Sequence, residues 1–187
     1  MVAVTATPSK GWKFVRWQGS ASGATNTLEI TITGEQNIVA VFEEEVPVLA
    51  GFSSYLWFNS ETASPTSTLK FYPSTGIAKC TLSISESVLD KMTTIQYRVL
   101  QIHISGSYTS QISTAGHATA DFLDGKSWNL WSENKGHFYV QIGAEYVKDI
   151  ATIIKSGKEI RITCTACIKG GYNNGEWTTV EVTLKKQ

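Results

Sequence analysis

Apolar residues recur at every second position through most of this chain, the period of strands with one covered face. At the start, Val2, Val4 and Ala6 alternate with Ala3, Thr5 and Thr7. Pro8 has no N–H to donate and ends that run, and Gly11 supplies the backbone freedom for a reversal. A second strand is expected at residues 12–17, with Trp12 and Phe14 on one face. Trp17, three residues beyond Phe14, faces the other way unless a bulge re-aims it. Leu28, Ile30 and Ile32 alternate with Glu29, Thr31 and Thr33 in a third strand, and Ile38, Ala40 and Phe42 share one face of a fourth.

Beyond residue 48 the same period continues. Segments 52–58, 68–72, 78–84, 95–105, 138–143, 159–168 and 177–184 are rich in β-branched and aromatic residues and separated by turn formers. The last two should form a hairpin, because Gly170, Gly171, Asn173, Asn174 and Gly175 lie between them and Asn-Gly accepts positive φ readily. Two stretches break the period. Residues 87–92 read as a short helical turn with Ser85 or Ser87 as N-cap. In 145–155, Val147, Ile150, Ile153 and Ile154 recur at helical spacing, and Gly157 follows as a stop. About seven strands with one docked helix predict a mainly β chain whose residues 50–187 form a β-sandwich, immunoglobulin-like or jelly-roll in topology.

The first 42 residues carry a more specific pattern. Ala6-Thr7-Pro8 leads into Gly11-Trp12-Lys13-Phe14-Val15-Arg16-Trp17-Gln18-Gly19, and the segment closes on Ala40-Val41-Phe42. This order resembles the bacterial surface repeat of the internalin B-repeat type, including its divergent form. The family pattern is a strand ending in A-T-P, a turn, G-aromatic-x-F-x-x-W-x-G, a polar loop, an alternating strand and a final A-x-F. The resemblance implies a β-grasp-like spacer module over residues 1–44 and a place on a bacterial cell surface. The family's additional Gly-rich first strand is missing, which implies a module truncated at its N-terminus. Its aromatics read mainly as core.

Composition narrows the function. Glu43-Glu44-Glu45-Val46-Pro47 is a natural boundary, giving a linker at residues 45–49. Charged residues make up 17%, against about 25% in average soluble domains, a balance common in extracellular β-proteins. Sixteen basic and sixteen acidic residues cancel without a Lys/Arg cluster, so the footprint of a nucleic-acid binder is missing. No apolar run approaches the length of about 18 residues that a membrane span needs.

Catalytic and metal chemistry find little support. Cys164 and Cys167 have the spacing of a redox or zinc half-site, yet positions three apart on a strand face opposite sides, and a second ligand pair is not evident. Inert buried thiols are the expectation, with a bridge from Cys80 to one of the other two left open. Alternation places His103 with Gln101 and Ser105 on a polar face, where it reads as a solvated surface histidine. No nucleophile elbow, H-E-x-x-H or phosphate loop occurs beside His103, His117 or His137. Asp121, Asp124 and Glu133 read as solvated loop charges, and the chain as non-enzymatic.

The candidate binding surface is the stretch 121–134, where Trp128 and Trp131 mix with Asp124 and Asn129. Aromatic faces stack on the apolar faces of sugars while amides and acids bind hydroxyls, a composition suited to carbohydrate. Core packing is the commoner role of tryptophan. Asp121, Asp124 and Asn129 could also hold calcium, although the spacing fits no EF-hand. Tyr172 and Trp177 flank the Asn-Gly turn as a second patch. Two functions therefore stand: a surface or secreted protein whose spacer carries an adhesion domain for a glycan or a host or cell-surface protein, or a carbohydrate-binding module formerly attached to a larger secreted enzyme.

Overall fold

A computed structural model describes residues 1–106, 129–134, 137–169 and 176–187. The chain divides into two compact units, one of Met1–Pro47 with Tyr72–Thr75 and the other of Val48–Phe71 with Gly76–Gln187.

The first unit contains β1 (Val2–Thr5), β2 (Trp12–Gly19), β3 (Thr27–Ile30) and β4 (Ile38–Glu44). β1 pairs antiparallel with β3, and β2 with β4, giving two two-stranded sheets. The alternating residues of the sequence account for both pairings. The register of β2 against β4 shifts between Phe14 and Arg16, so that Phe14 opposes Phe42 and Trp17 opposes Ala40. This is the bulge that Trp17 requires. It turns the indole to the same side as Phe14, with ring centroids 5.3 Å apart, and leaves Trp17 only 4% exposed. The indole Nε1 donates to Thr25 O at 2.8 Å, which satisfies its one polar group.

The second unit comprises β5 (Val48–Phe58), β6 (Glu61–Thr62), β7 (Ser67–Tyr72), β8 (Ile77–Ile84), α1 (Glu86–Thr94), β9 (Leu100–Ser105), β10 (Asn129–Asn134), β11 (His137–Ile142), α2 (Ala144–Lys155), β12 (Ile160–Lys169) and β13 (Glu176–Lys186). All its strands belong to one nine-stranded sheet in the order β10-β11-β9-β5-β7-β8-β13-β12, with β6 pairing β5. The mainly β class expected from the sequence is the one observed, and the sheet is nearly closed into a barrel. It differs from two facing sheets in one pairing, because β13 runs parallel to β8 and joins two antiparallel halves into a continuous layer. The covering layer on the core side is helical. Leu89 and Met92 of α1 and Val147, Ile150, Ala151 and Ile154 of α2 are buried in the same cluster as Leu56, Leu82, Ile102, Ile162 and Val182 of the sheet.

Local sequence explains most of these elements. Val147, Ile150, Ala151 and Ile154 form the buried stripe of α2, and Gly157, at φ +84°, follows its end. β12 and β13 pair antiparallel from Ile160↔Leu184 onward, as the alternation of Val180, Val182 and Leu184 requires. The turn that joins them, residues 170–175, lies outside the described residues. The expected strand 95–105 is shorter than its composition suggests and begins only at Leu100. Its first residues form a connection held at both ends: Arg98 Nε donates to Met92 O and Arg98 Nη2 to Thr93 O, at the C-terminus of α1, while Asn59 binds the far side. A cation at a helix C-terminus is favoured by the aligned backbone dipoles.

Candidate functional site

Strands β5, β9 and β11 lie side by side, and their odd-numbered residues occupy the face opposite the apolar core. In one transverse row Tyr55 opposes His103, and His103 opposes Tyr139. In the next row Trp57 opposes Gln101, which opposes Gln141. The even-numbered partners Leu56, Ile102 and Val140 are buried in the core. Alternation therefore sorts the residues as a strand should, but the outer set is aromatic and amide-rich rather than charged.

His103 is the centre of this face. Its imidazole stacks on Tyr55 at 4.7 Å with the planes 13° apart, lies 5.2 Å from the ring of Tyr139, and meets the edge of Trp57 at 5.9 Å. It is only 5% exposed, so the expected solvated surface histidine is instead a buried one. The reason is physical: alternation tells which face a residue shares, and here three neighbouring aromatic rings cover that face. His103 Nε2 donates to Gln101 Oε1 at 2.9 Å, because an amide oxygen can only accept. Gln101 Nε2 in turn donates to Gln141 Oε1 at 3.1 Å. The three side chains form a directed chain running from the imidazole to Gln141.

That chain ends at a cavity of about 490 Å³. Trp57, Gln101 and Gln141 form its floor, and the connection after α1 contributes Ile95, Tyr97 and Val99. Asn59 and Ser60, from the tight turn between β5 and β6, complete the wall. Both hold positive φ, 47° and 74°, as a two-residue hairpin turn of this kind demands. Asn59 fixes the connection opposite: its N–H donates to Val99 O, its Nδ2 to Tyr97 O, and its Oδ1 accepts from Val99 N, at 2.9, 3.0 and 2.8 Å. Tyr97 is left 76% exposed at the rim. Every described lining residue is aromatic, aliphatic, amide or hydroxyl, so these residues can stack and hydrogen-bond and bring no formal charge.

The residues selected from sequence meet this face in part. Trp131 is paired with Tyr139, and Asn129 with Gln141, which extends both rows onto β10 in register. Residues 129–134 form a strand, where the sequence reading had a loop. Trp177, the second residue of β13, pairs with Cys167. Trp128, Asp124 and Tyr172 lie outside the described residues, as do Asp121 and the loop that holds His117. Sequence reasoning passed over Tyr55, Trp57, Gln101, Tyr139 and Gln141. A signal for them existed in the aromatic residues at alternate positions 55 and 57, but the register that assembles them is set by pairings that span 36 to 48 positions.

The buried thiols lie apart from this face. Cys80 and Cys164 are free, and burial pushes them up from an ordinary value of 9.0 to about 11 and about 12, with a smaller opposing pull from Ser54 on Cys80. Thiols so hard to ionise are poor nucleophiles and poor metal ligands. Among the described residues, no cluster of three or more His, Cys, Asp or Glu is placed to hold a metal ion, and no helix is long and apolar enough to cross a membrane.

No curated protein and no solved structure matches this chain. Residues 1–46 match the family model of the divergent InlB B-repeat domain, the repeat whose pattern Ala6-Thr7-Pro8 through Phe42 resembles and a family typical of bacterial surface proteins.

Proposed function

We propose that this is a non-catalytic protein of the bacterial cell surface, in which the N-terminal repeat is a spacer and the C-terminal unit binds carbohydrate through the outer face of β5, β9 and β11. The observation that carries the reading is the pair of transverse rows, Tyr55-His103-Tyr139 and Trp57-Gln101-Gln141, leading to the cavity. Aromatic side chains offer flat apolar faces, and fixed amides orient polar groups beside them, the composition of a small-molecule site. The volume falls within the range of about 300–1,000 Å³ typical of such sites. Cleavage of a glycosidic bond commonly uses a pair of carboxylates, whereas the described lining residues supply amides and hydroxyls, which supports binding rather than hydrolysis. The match to a surface repeat supports an extracellular setting, where glycans are abundant ligands.

The test is a glycan array probed with the full chain, next to a panel of immobilised cell-surface proteins. Retention on glycans that is lost in Trp57→Ala supports the reading. Retention only on proteins, unchanged by Trp57→Ala, would replace it with protein-directed adhesion.

A further inference from the structure

Resting on the carbohydrate reading, we infer that the cavity beside Trp57 takes an uncharged saccharide and that the amide of Gln141 is the group that selects it. The other two amides around the cavity are committed elsewhere. Asn59 uses both ends of its side chain on the backbone of Tyr97 and Val99 and is therefore wall rather than reader. Gln101 accepts from His103 and donates to Gln141, so both of its ends are satisfied too. Gln141 differs. Its Oε1 accepts from Gln101, and its Nε2 has no protein partner among the described residues. The chain from His103 holds the amide in one orientation, oxygen toward Gln101, and leaves the amino group as a fixed donor at the cavity. A fixed donor reads an oxygen of the ligand, such as a sugar hydroxyl or ring oxygen.

The absence of charge among the described lining residues supports the ligand class. Trp57, Asn59, Ser60, Tyr97, Gln101 and Gln141 include no ammonium, guanidinium or carboxylate. Arg98, in the connection that forms one wall, spends its guanidinium on Met92 O and Thr93 O at the end of α1. A uronate or sialate entering this cavity would lose water around its carboxylate and gain no cation, which disfavours it strongly against a neutral ring of similar shape. Exposed Tyr97 and half-buried Trp57 border the same space and offer aromatic surface to a short neutral saccharide.

The experiment uses the full chain on a glycan array with matched neutral and acidic members, followed by calorimetric titration of the strongest binder. The expected binders are neutral, with affinity changing less than about twofold between low and high salt, since no ion pair is made. Trp57→Ala and Gln141→Glu should each weaken binding about tenfold or more, and Gln141→Glu should leave the melting temperature close to that of the parent. If Trp57→Ala fails to fold, Tyr97→Ala, altered at an exposed position, takes its place. Binding of acidic glycans that is lost in the Trp57 or Tyr97 variant would overturn the uncharged class while leaving the carbohydrate reading intact. Neutral binding indifferent to Gln141→Glu would overturn the selecting role of that amide. Retention of no glycan at all would overturn both this inference and the reading beneath it.

Discussion

Replacing His103 by alanine distinguishes a surface histidine from the stacked one described above. The substitution removes an imidazole held between Tyr55 and Tyr139 and deprives Gln101 Oε1 of its donor. Each aromatic pair contributes about 0.5–1.5 kcal/mol beyond area burial. An amide oxygen left without a partner at a position 7% exposed costs about 1–3 kcal/mol more. The expected loss is therefore about 2–6 kcal/mol. For a unit of this size that corresponds to roughly 5–20 °C in melting temperature. His103→Phe retains a ring between the two tyrosines and loses only the hydrogen bond, so it should fall between parent and alanine variant. Urea titration followed by tryptophan fluorescence measures all three. A loss in His103→Ala within about 0.5 kcal/mol, the usual effect of a surface substitution, would refute the stacked and hydrogen-bonded arrangement.

Three further outcomes are expected. Trp17→Ala should cost about 3–5 kcal/mol, comparable with the whole stability of a unit the size of Met1–Pro47; hydrogen exchange should show β2 and β4 losing protection while β12 and β13 keep theirs. Gly19→Ala should destabilise by about 2 kcal/mol or more, because φ is +92° and the added Cβ would stand 2.1 Å from Asn37 O; Gly34→Ala, with open space around it, is the near-neutral control in the same denaturant titration. For the thiols, a pKa raised by folding means that the native state favours the protonated form. That advantage is complete below about pH 9 and is lost as pH rises toward 11 and 12, by up to about 1.4 kcal/mol per pH unit for each thiol. Melting temperatures measured from pH 8 to pH 11 should fall less steeply in Cys80→Ala and Cys164→Ala than in the parent, and parallel slopes would contradict the burial argument.

Short-range patterns made much of this fold legible. Val180, Val182 and Leu184 mark the core face of β13, Val147, Ile150 and Ile154 mark that of α2, and both appear where the periodicity places them. The need for a bulge before Trp17 followed from spacing alone. What stayed hidden depends on register between distant segments. Nothing near His103 in sequence announces Tyr55 or Tyr139, and strand alternation is silent on whether the outer face is bare or covered by neighbouring rings. Residues 95–99 carry strand-like composition, yet the hydrogen bonds of Asn59 and Arg98 hold them as a connection. The parallel pairing of β8 with β13 was likewise outside the reach of local pattern, since hairpin turns predict only antiparallel neighbours.

That parallel pairing imposes a timetable on the chain. Thr178 Oγ1, at the start of β13, donates to Gly76 O beside β8, a contact across 102 positions. Synthesis at about 5–20 residues per second separates the two partners by roughly 5–20 s. Through that interval the edge of β8 that β13 will pair has no strand to bind, beside an apolar face built from Ala78, Cys80, Leu82 and Ile84. Such an edge is a template for pairing with a second chain. β13, the last of this sheet's strands in chain order, is thus the one that joins β12 to β8, and the yield of folded chain during synthesis should fall as the concentration of nascent chains rises.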